Sequence, residues 1–368
     1  MKLLYFTDTH IRGTNPKNRL DNFYQTLKNK FHEVIEIAKY ENVDYILHGG
    51  DLFDRPDPSV SIVSDFAKIF NEFRVPIYIV SGNHDIFGHN PSTLERTMLG
   101  LLCNLGILNL VNDRKIILEK DIKVQLTSAP YVYSMDSKEN IKNYIVKEKD
   151  KTCKYAIHLT HGFLIDKPFL KEVSHTLISD IKDTCADITF GAHYHYGFPT
   201  QVIDGKYFIN PGALVRISNS MAEMNRKPKV NIIELSDEIK VKDVYLKTAK
   251  PGNEVLDRSE MERHKFKGMK INEFKEIIDS SVSLNNTDIF SLLNSIAKMD
   301  SIGADVINEA FKRVEKAQMS GAKYTWFILQ KFIWKISNHI KTPLWNLIGD
   351  LMLYWGILIL VKLLFWGQ

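Results

Sequence analysis

Short apolar runs recur along the first half of the chain, and each is followed at once by small or polar residues. The runs that carry the argument are Leu3–Phe6, Tyr45–Leu47, Val75–Val80, Tyr155–Leu159 and Ile188–Phe190. Runs of this length that are rich in β-branched and aromatic residues predict strands. Stretches between them, such as residues 21–40 and 60–73, have helical spacing. The alternation predicts an α/β fold in which two sheets form a sandwich flanked by helices.

Each of these predicted strands ends in a polar motif. The motifs are Asp8-Thr9-His10, Gly50-Asp51-Leu52-Phe53-Asp54, Gly82-Asn83-His84-Asp85, His161-Gly162 and Gly191-Ala192-His193-Tyr194-His195. In open α/β sheets, ligands bind at the carboxyl ends of the strands. Aspartate, asparagine and histidine form a ligand set that suits Mn, Fe, Zn or Mg. We therefore expect the motifs to form one dinuclear metal site.

The spacing of the motifs also suggests the chemistry. One carboxylate can bridge two divalent ions roughly 3.5–4 Å apart, and a water on such an ion becomes a nucleophile near neutral pH. Asp51 is the natural bridge, because Gly49 and Gly50 let the backbone come close. His84 is better placed as a general acid than as a ligand, and Asp85 is expected to orient it by hydrogen bonding.

The order of the motifs resembles that of the calcineurin-like metallophosphoesterases. The longer strings Gly50–Pro56 and Asn210–Arg216 narrow the resemblance to SbcD-like DNA repair nuclease subunits. The resemblance covers roughly residues 1–250. It departs from the family at the fifth motif, where Ala192 separates Gly191 from His193. We expect this change to be tolerated, because the two histidines keep their mutual spacing.

The resemblance implies a role for each matching residue. One metal would be held by Asp8, His10, Asp51 and His195, and the second by Asp51, Asn83, His161 and His193. His84 matches the residue that protonates the leaving group. The cofactor is expected to be two divalent ions, with Mn as the first choice and Mg, Fe or Zn as alternatives. The resemblance also implies DNA as substrate and an SbcC-like ATPase as partner. The sequence leaves open whether the protein forms a homodimer.

The remaining chain divides by composition. Residues 1–250 form the predicted catalytic domain, whose last strands, 230–235 and 239–246, are expected to close the second sheet. Residues 251–265 contain Pro251-Gly252 and are expected to be a linker. Residues 266–320 have helical apolar stripes and, by the resemblance, would bind the ATPase. After Arg216 little room is left for the capping domain that lies over DNA in larger family members.

The tail, residues 321–368, differs from the rest. It contains all five tryptophans, and its uninterrupted apolar run is only Leu351–Val361. A membrane-spanning helix needs about 20 such residues, so a membrane anchor is disfavoured. A shifted reading frame, which permits a phosphate-binding G-x-x-x-x-G-K-T loop across residues 351–363, favours a frameshift product.

Composition sets the remaining limits. The chain has 368 residues and a formal net charge of +4, which allows one large domain plus an appendage and is compatible with a nucleic-acid partner. Cys103, Cys153 and Cys185 are odd in number with no close pair, which argues against a disulfide framework and a cysteine metal site. The only apolar run before Asp8 is Leu3–Phe6, so we expect no secretory signal and a cytoplasmic location.

Three functions are compatible with these patterns. The first is a metal-dependent DNA phosphodiesterase, an exonuclease or endonuclease that hydrolyses through a metal-bound hydroxide. The second is a small-molecule or protein phosphoesterase that uses the same site. The third is a structural scaffold for the ATPase, which the intact ligand set disfavours. The string Gly50–Pro56 and the helical appendage favour the first over the second.

Overall fold

The computed structural model describes residues 1–170, 173–259, 261–262, 305 and 308–312. The chain separates into two compact units, Met1–Arg263 and His264–Gln368. In the second unit the described residues are helical, and the rest of the expected partner-binding segment and the whole tail lie outside the described residues. Among the described residues, no helix has both the length and the apolar character needed to cross a bilayer.

The first sheet has six strands, in the order β13-β12-β1-β2-β3-β4. They are β1 (Lys2–Phe6), β2 (Tyr45–His48), β3 (Ile77–Ile79), β4 (Asn109–Leu110), β12 (Lys229–Leu235) and β13 (Ile239–Tyr245). β1 to β4 are mutually parallel, whereas β12 lies antiparallel to β1, with Leu3 opposite Ile233. The expectation that β12 and β13 close the second sheet is wrong. The chain returns instead to the edge of β1 that β2 leaves open, and this pairing satisfies its backbone groups.

The second sheet has seven strands, in the order β10-β11-β9-β7-β6-β5, with β8 paired to β7. They are β5 (Lys115–Glu119), β6 (Lys123–Ala129), β7 (Tyr155–Ile165), β8 (Thr176–Leu177), β9 (Ile188–Ala192), β10 (Phe198–Ile203) and β11 (Lys206–Asn210). The central strands β6, β7, β9 and β11 are parallel neighbours. This parallel core brings the carboxyl ends of β7 and β9 to one edge.

Helices cover the outer face of the first sheet. The α-helices are α1 (Phe23–Glu41), α2 (Val60–Asn71), α3 (Met98–Asn104), α4 (Met221–Asn225) and α5 (Gly252–Val255). Short 3-10 helices span Asn83–Asp85, Phe87–His89, Pro91–Arg96, Ile141–Tyr144 and Ile178–Asp180. The Asn22 side chain caps α1 by accepting the N–H of Gln25, which supplies one of the missing acceptors at a helix start.

Strand β1 shows why the two-sheet sandwich forms. Leu4 and Phe6 pack in the core beneath α1 and α2, whereas Leu3 and Tyr5 pack in the core between the two sheets. Successive side chains of a strand point to opposite faces, so a continuous apolar run is buried on both sides. The predicted two-sheet architecture with flanking helices is confirmed.

The body of the first unit continues beyond residue 250. Val255 and Leu256 are buried, and the carbonyl oxygen of Val255 accepts the N–H of Leu20 at 3.1 Å. The N–H of Asp257 reaches the carbonyl oxygen of Asn18 at 2.8 Å. This part of the segment expected to be a linker therefore packs against the loop that precedes α1.

Candidate metal centre

The polar motifs meet where β1, β2, β3 and β9 end, beside His161, which lies in the middle of β7 at an irregularity in its pairing with β9. Three groups of side chains place metal-binding atoms within 4.8 Å of one another. These groups are Asp8, His10, Asp51 and His195; Asp51, His161 and His193; and His10, Asp54 and His84. The structure thus brings together six of the seven residues expected to bind metal, and Asn83 lies beside His161. Asp51 belongs to two of the groups.

Asp51 lies at the centre of the cluster and is almost completely buried. Its Oδ1 atom accepts the backbone N–H of His84 at 2.8 Å. Its Oδ2 atom lies 3.3 Å from Nε2 of His161 and 3.8 Å from Nε2 of His10. One oxygen therefore faces an imidazole from each of the first two groups, which is the position that a bridging ligand requires.

The first group is held by hydrogen bonds to Asp8. The Thr7 hydroxyl donates to Oδ2 of Asp8 at 2.8 Å, and the backbone N–H of His193 lies 3.2 Å from both carboxylate oxygens. His195 places Nε2 3.6 Å from Oδ1 of Asp8 and 3.1 Å from Nε2 of His10. Lone-pair-bearing atoms from three motifs therefore converge on one point.

The second group is oriented through His161. Its Nδ1 atom donates to the carbonyl oxygen of Gly49 at 2.7 Å, because a carbonyl only accepts. This bond directs Nε2 towards Asp51 and leaves it 3.3 Å from Oδ1 of Asn83. A histidine that donates one ring N–H to a carbonyl, with the other nitrogen turned to a cluster, is typical of a metal ligand.

The backbone is strained at the predicted ligands. Asp8, His10, Asp51 and His193 have φ values of 52°, 42°, 51° and 66°, in the left-handed region that non-glycine residues rarely adopt. Such conformations cost on the order of 1–3 kcal/mol each and persist where the surrounding structure enforces them. Each strand therefore turns sharply at its end and directs the motif side chain into the site.

Two glycines allow the close approach of the motifs. Gly50 has φ of 103°, and a Cβ atom there would lie 2.5 Å from Nδ1 of His161. A Cβ atom on Gly82 would collide with Oδ1 of Asp51 and lie 2.6 Å from Cε1 of His161. The second motif, the third motif and His161 can therefore approach one another only because Gly50 and Gly82 have no side chain.

Burial keeps several imidazoles of the cluster uncharged. It lowers the pKa of His193 to about 4 and that of His195 to about 3. Burial alone would also lower the pKa of His161, but the negative charge of Asp51 outweighs it and raises that pKa to about 9. Burial raises the pKa of Asp8 to about 7. Metal ligands must lose their protons, so a bound ion would compete with protons at His161 and Asp8.

The residues present fit a divalent-metal site. Within the described part of the chain, Asp51 Oδ2, His10 Nδ1 and His193 Nδ1 are buried and make no hydrogen bond. A buried polar atom without a partner costs about 1–3 kcal/mol. A cation beside Asp51 Oδ2 would satisfy that oxygen, and the mixture of carboxylate, amide and imidazole donors suits Mn, Fe, Zn or Mg.

His84 and Asp85 have different partners from those expected. Nδ1 of His84 donates to the backbone carbonyl of Asp54 at 2.8 Å. The Asp85 carboxylate instead accepts the N–H groups of Gly82, at 2.9 Å, and of Leu52 and Phe53. Asp85 is fully buried, and its carboxyl oxygens fasten the second motif to the third rather than orient the imidazole.

Asp54 belongs to the second motif, but the sequence alone did not predict a role for it. Its Oδ1 atom lies 3.8 Å from Nδ1 of His10, its Oδ2 atom pairs with Arg12 at 2.8 Å, and its carbonyl holds His84. Its place in the second motif was the available signal. By contrast, His48 and His158 are buried and hydrogen-bonded but belong to none of the three groups.

Comparison with known proteins agrees with this geometry. The chain is 36% identical over 87 residues to the DNA double-strand break repair protein Mre11 of Thermoplasma acidophilum, covering 22% of each protein. It is 25% identical over 294 residues to the double-strand break repair protein MRE11 of Encephalitozoon cuniculi, covering 68% of this chain and 48% of that one. The chain thus spans less than half the length of both relatives. The expected resemblance to SbcD-like repair nucleases is confirmed.

A solved archaeal phosphodiesterase is 16% identical, with a TM-score of 0.35, and the match covers 67% of this chain and 100% of that one. The family model for calcineurin-like phosphoesterases matches residues 1–197, which is more than half of the sequence. That range contains all five motifs and every residue of the three clustered groups. The chain therefore belongs to the calcineurin-like phosphoesterase family.

Proposed function

We propose that the chain is a metal-dependent DNA phosphodiesterase, a nuclease that works with an SbcC-like ATPase in double-strand-break repair. The observation that carries the proposal is the position of Asp51, whose Oδ2 atom faces both His10 and His161. A shared carboxylate is what a two-metal phosphodiesterase needs, and the relatives named Mre11 act in repair of DNA breaks.

The ligand assignment follows the two groups. Asp8, His10, Asp51 and His195 would hold one divalent ion, and Asp51, Asn83, His161 and His193 the other. When bound, a pair of ions supplies Lewis acidity and a water activated for in-line attack on phosphorus. We expect Mn to support the reaction best.

His84 is suited to protonate the leaving oxygen. The Asp54 carbonyl holds its Nδ1–H, so Nε2 is the atom that exchanges a proton. The imidazole stacks edge-on against His10 at a centroid distance of 4.7 Å, which places it beside the first metal group. A phosphate bound there would have its leaving oxygen within reach of His84.

The substrate assignment rests on the relatives and on the chain itself. In the described structure, only α4 lies between Arg216 and β12, so this stretch contains no domain that could cover DNA. We propose that surfaces around the metal centre contact the nucleic acid. The formal net charge of +4 is too small to explain binding to nucleic acid by itself.

The decisive experiment compares substrates with purified protein in Mn. We expect cleavage of labelled DNA, stimulated by the ATPase, and loss of cleavage in Asp51→Asn. In water enriched in ¹⁸O, one solvent oxygen should enter the phosphate product in a single step, without a covalent intermediate. Hydrolysis of small phosphoesters with no cleavage of DNA in the presence of the ATPase would favour the alternative, a small-molecule or protein phosphoesterase.

The partner assignment has a separate test. Residues 266–320 carry the predicted helical stripes and none of the metal ligands, so we propose that they bind the ATPase. Deleting residues 266–368 should abolish co-elution with the ATPase on a sizing column, while Mn-dependent hydrolysis of a small phosphodiester is retained. Normal complex formation by the shortened chain would refute this assignment.

A further inference from the structure

A row of aromatic rings leads from the metal centre to the protein surface. The ring of Tyr131 lies 5.9 Å from that of His193 and 6.3 Å from that of His161. The ring of His89 lies 5.6 Å from Tyr131 and 6.2 Å from Tyr133. We call Tyr131, His89 and Tyr133 the aromatic row. Its inner end touches two predicted metal ligands, and its outer end reaches solvent.

The outer end of the row is unusually exposed for an aromatic side chain. Tyr133 leaves 75% of its surface accessible, whereas Tyr131 is partly buried against the core beneath the helices. A large ring gains its packing energy only when it is covered. Tyr133 therefore contributes little to the stability of the protein and presents an exposed ring that is linked to His193 through His89 and Tyr131.

The segment that carries the tyrosines is firmly held. The N–H of Tyr131 donates to the carbonyl oxygen of Ser81, just before the third motif, at 3.0 Å. The Asp136 carboxylate accepts the hydroxyls of Tyr144 and Thr176, at 2.5 and 2.8 Å, and the N–H of Phe163 at 3.0 Å. The loop is thus tied to both sheets, and a fixed loop lowers the entropy cost of binding.

We propose that the aromatic row stacks on an unpaired nucleobase next to the phosphate that is cleaved. This inference rests on the proposed nuclease function and adds to it a contact with a base, made by Tyr133 at the outer end of the row. Aromatic side chains bind unpaired nucleic acid by stacking, independently of sequence, since every base has a π face. A base inside a duplex has both faces covered by its neighbours, whereas an unpaired base can turn one face to Tyr133.

The test compares a single-stranded oligonucleotide with the same strand carrying abasic sites on both sides of the cleaved phosphate. The wild-type protein with Mn should prefer the intact strand, because each stacked base adds about tenfold or more to binding. In Tyr133→Ala, the ratio of kcat/KM for the intact strand over the abasic strand should fall about tenfold. Tyr133→Trp should restore the ratio, since it returns a ring.

A binding measurement without metal supplies the second readout. In EDTA, the fluorescence of a 2-aminopurine base in the single strand should be quenched by the wild-type protein and by Tyr133→Trp, but much less by Tyr133→Ala. Tyr40→Ala is the matched control, because Tyr40 lies near the end of α1 and is 83% exposed. It should behave as the wild type in both assays.

Failure of this inference is distinct from failure of the proposed function. Equal cleavage of intact and abasic strands by the wild type, with no change in Tyr133→Ala, would overturn stacking while the nuclease assignment stands. Hydrolysis of small phosphoesters with neither strand cleaved would overturn both. A fall in activity of Tyr133→Ala that is equal on both strands would also overturn stacking, since it would show an effect independent of the base.

Discussion

The backbone N–H of His84 donates a 2.8 Å hydrogen bond to Oδ1 of Asp51. The predicted acid and the predicted bridging carboxylate are therefore joined through the main chain, independently of the His84 imidazole. Oδ2 of Asp51 is left as the oxygen that faces His10 and His161. Substitutions at these two positions should consequently separate metal binding from proton transfer.

Asp51→Asn should keep the fold and lose the metals. The asparagine oxygen can still accept the N–H of His84, and the amide NH₂ group then replaces the Oδ2 atom that faces the imidazoles. Loss of a bridging ligand should weaken both sites by more than the about 10–100-fold typical of an outer-shell partner. Metal content after dialysis would be measured by mass spectrometry, with Asp113→Asn as control. Full occupancy of both sites in Asp51→Asn contradicts the assignment.

His84→Ala should retain the metals and lose turnover. A positioned general acid typically contributes about 10²–10⁴-fold. The side-chain hydrogen bond that His84→Ala removes is to the carbonyl oxygen of Asp54, which is not expected to bind metal. The loss should be large for DNA, whose leaving alkoxide needs a proton, and small for a p-nitrophenyl phosphodiester, whose leaving group is already stable. Equal losses on the two substrates, or loss of metal, would exclude His84 as the acid.

Much of the fold could be predicted from strand β1 and its neighbours. A continuous apolar run such as Leu3–Phe6 can be satisfied only by burial on two faces, which predicts a sheet with layers on both sides. Four of the polar motifs follow β1, β2, β3 and β9, and motifs at the carboxyl ends of strands are expected at one edge. The fourth motif differs, because His161 lies inside β7 and reaches the site from an irregularity in the pairing with β9.

The details that depend on tertiary register could not be predicted. Whether Asp85 or Asp54 would hold His84 depends on how the second motif turns against the third, and both acids are near it in sequence. The pairing of β12 with β1 likewise depends on which edge of β1 is left open by β2, and the sequence does not show this. The aromatic row brings residue 89 beside residues 131 and 133, a contact between distant segments that no local pattern encodes.

Metal affinity should rise with pH. The pKa of His161 is raised to about 9 and that of Asp8 to about 7 in the metal-free protein, so both groups hold protons that an ion must displace. Affinity should increase as pH rises through about 7 and continue to increase towards about 9. Calorimetric titration with Mn in buffers of different ionisation enthalpy would count the released protons. Affinity that is flat between pH 6 and 9 would contradict this coupling.

A methyl group at residue 82 should damage the site, whereas one at residue 191 should be tolerated. A Cβ atom on Gly82 would collide with Oδ1 of Asp51 and lie 2.6 Å from Cε1 of His161, but on Gly191 the nearest atom is Cδ2 of Leu164 at 3.4 Å. Overpacking typically costs about 1–3 kcal/mol. Gly82→Ala should therefore unfold at lower temperature and bind Mn more weakly than Gly191→Ala, measured by thermal unfolding with and without Mn. Because both glycines belong to the polar motifs and both changes add one carbon, equal behaviour of the two variants would show that the second and third motifs do not meet as closely as described.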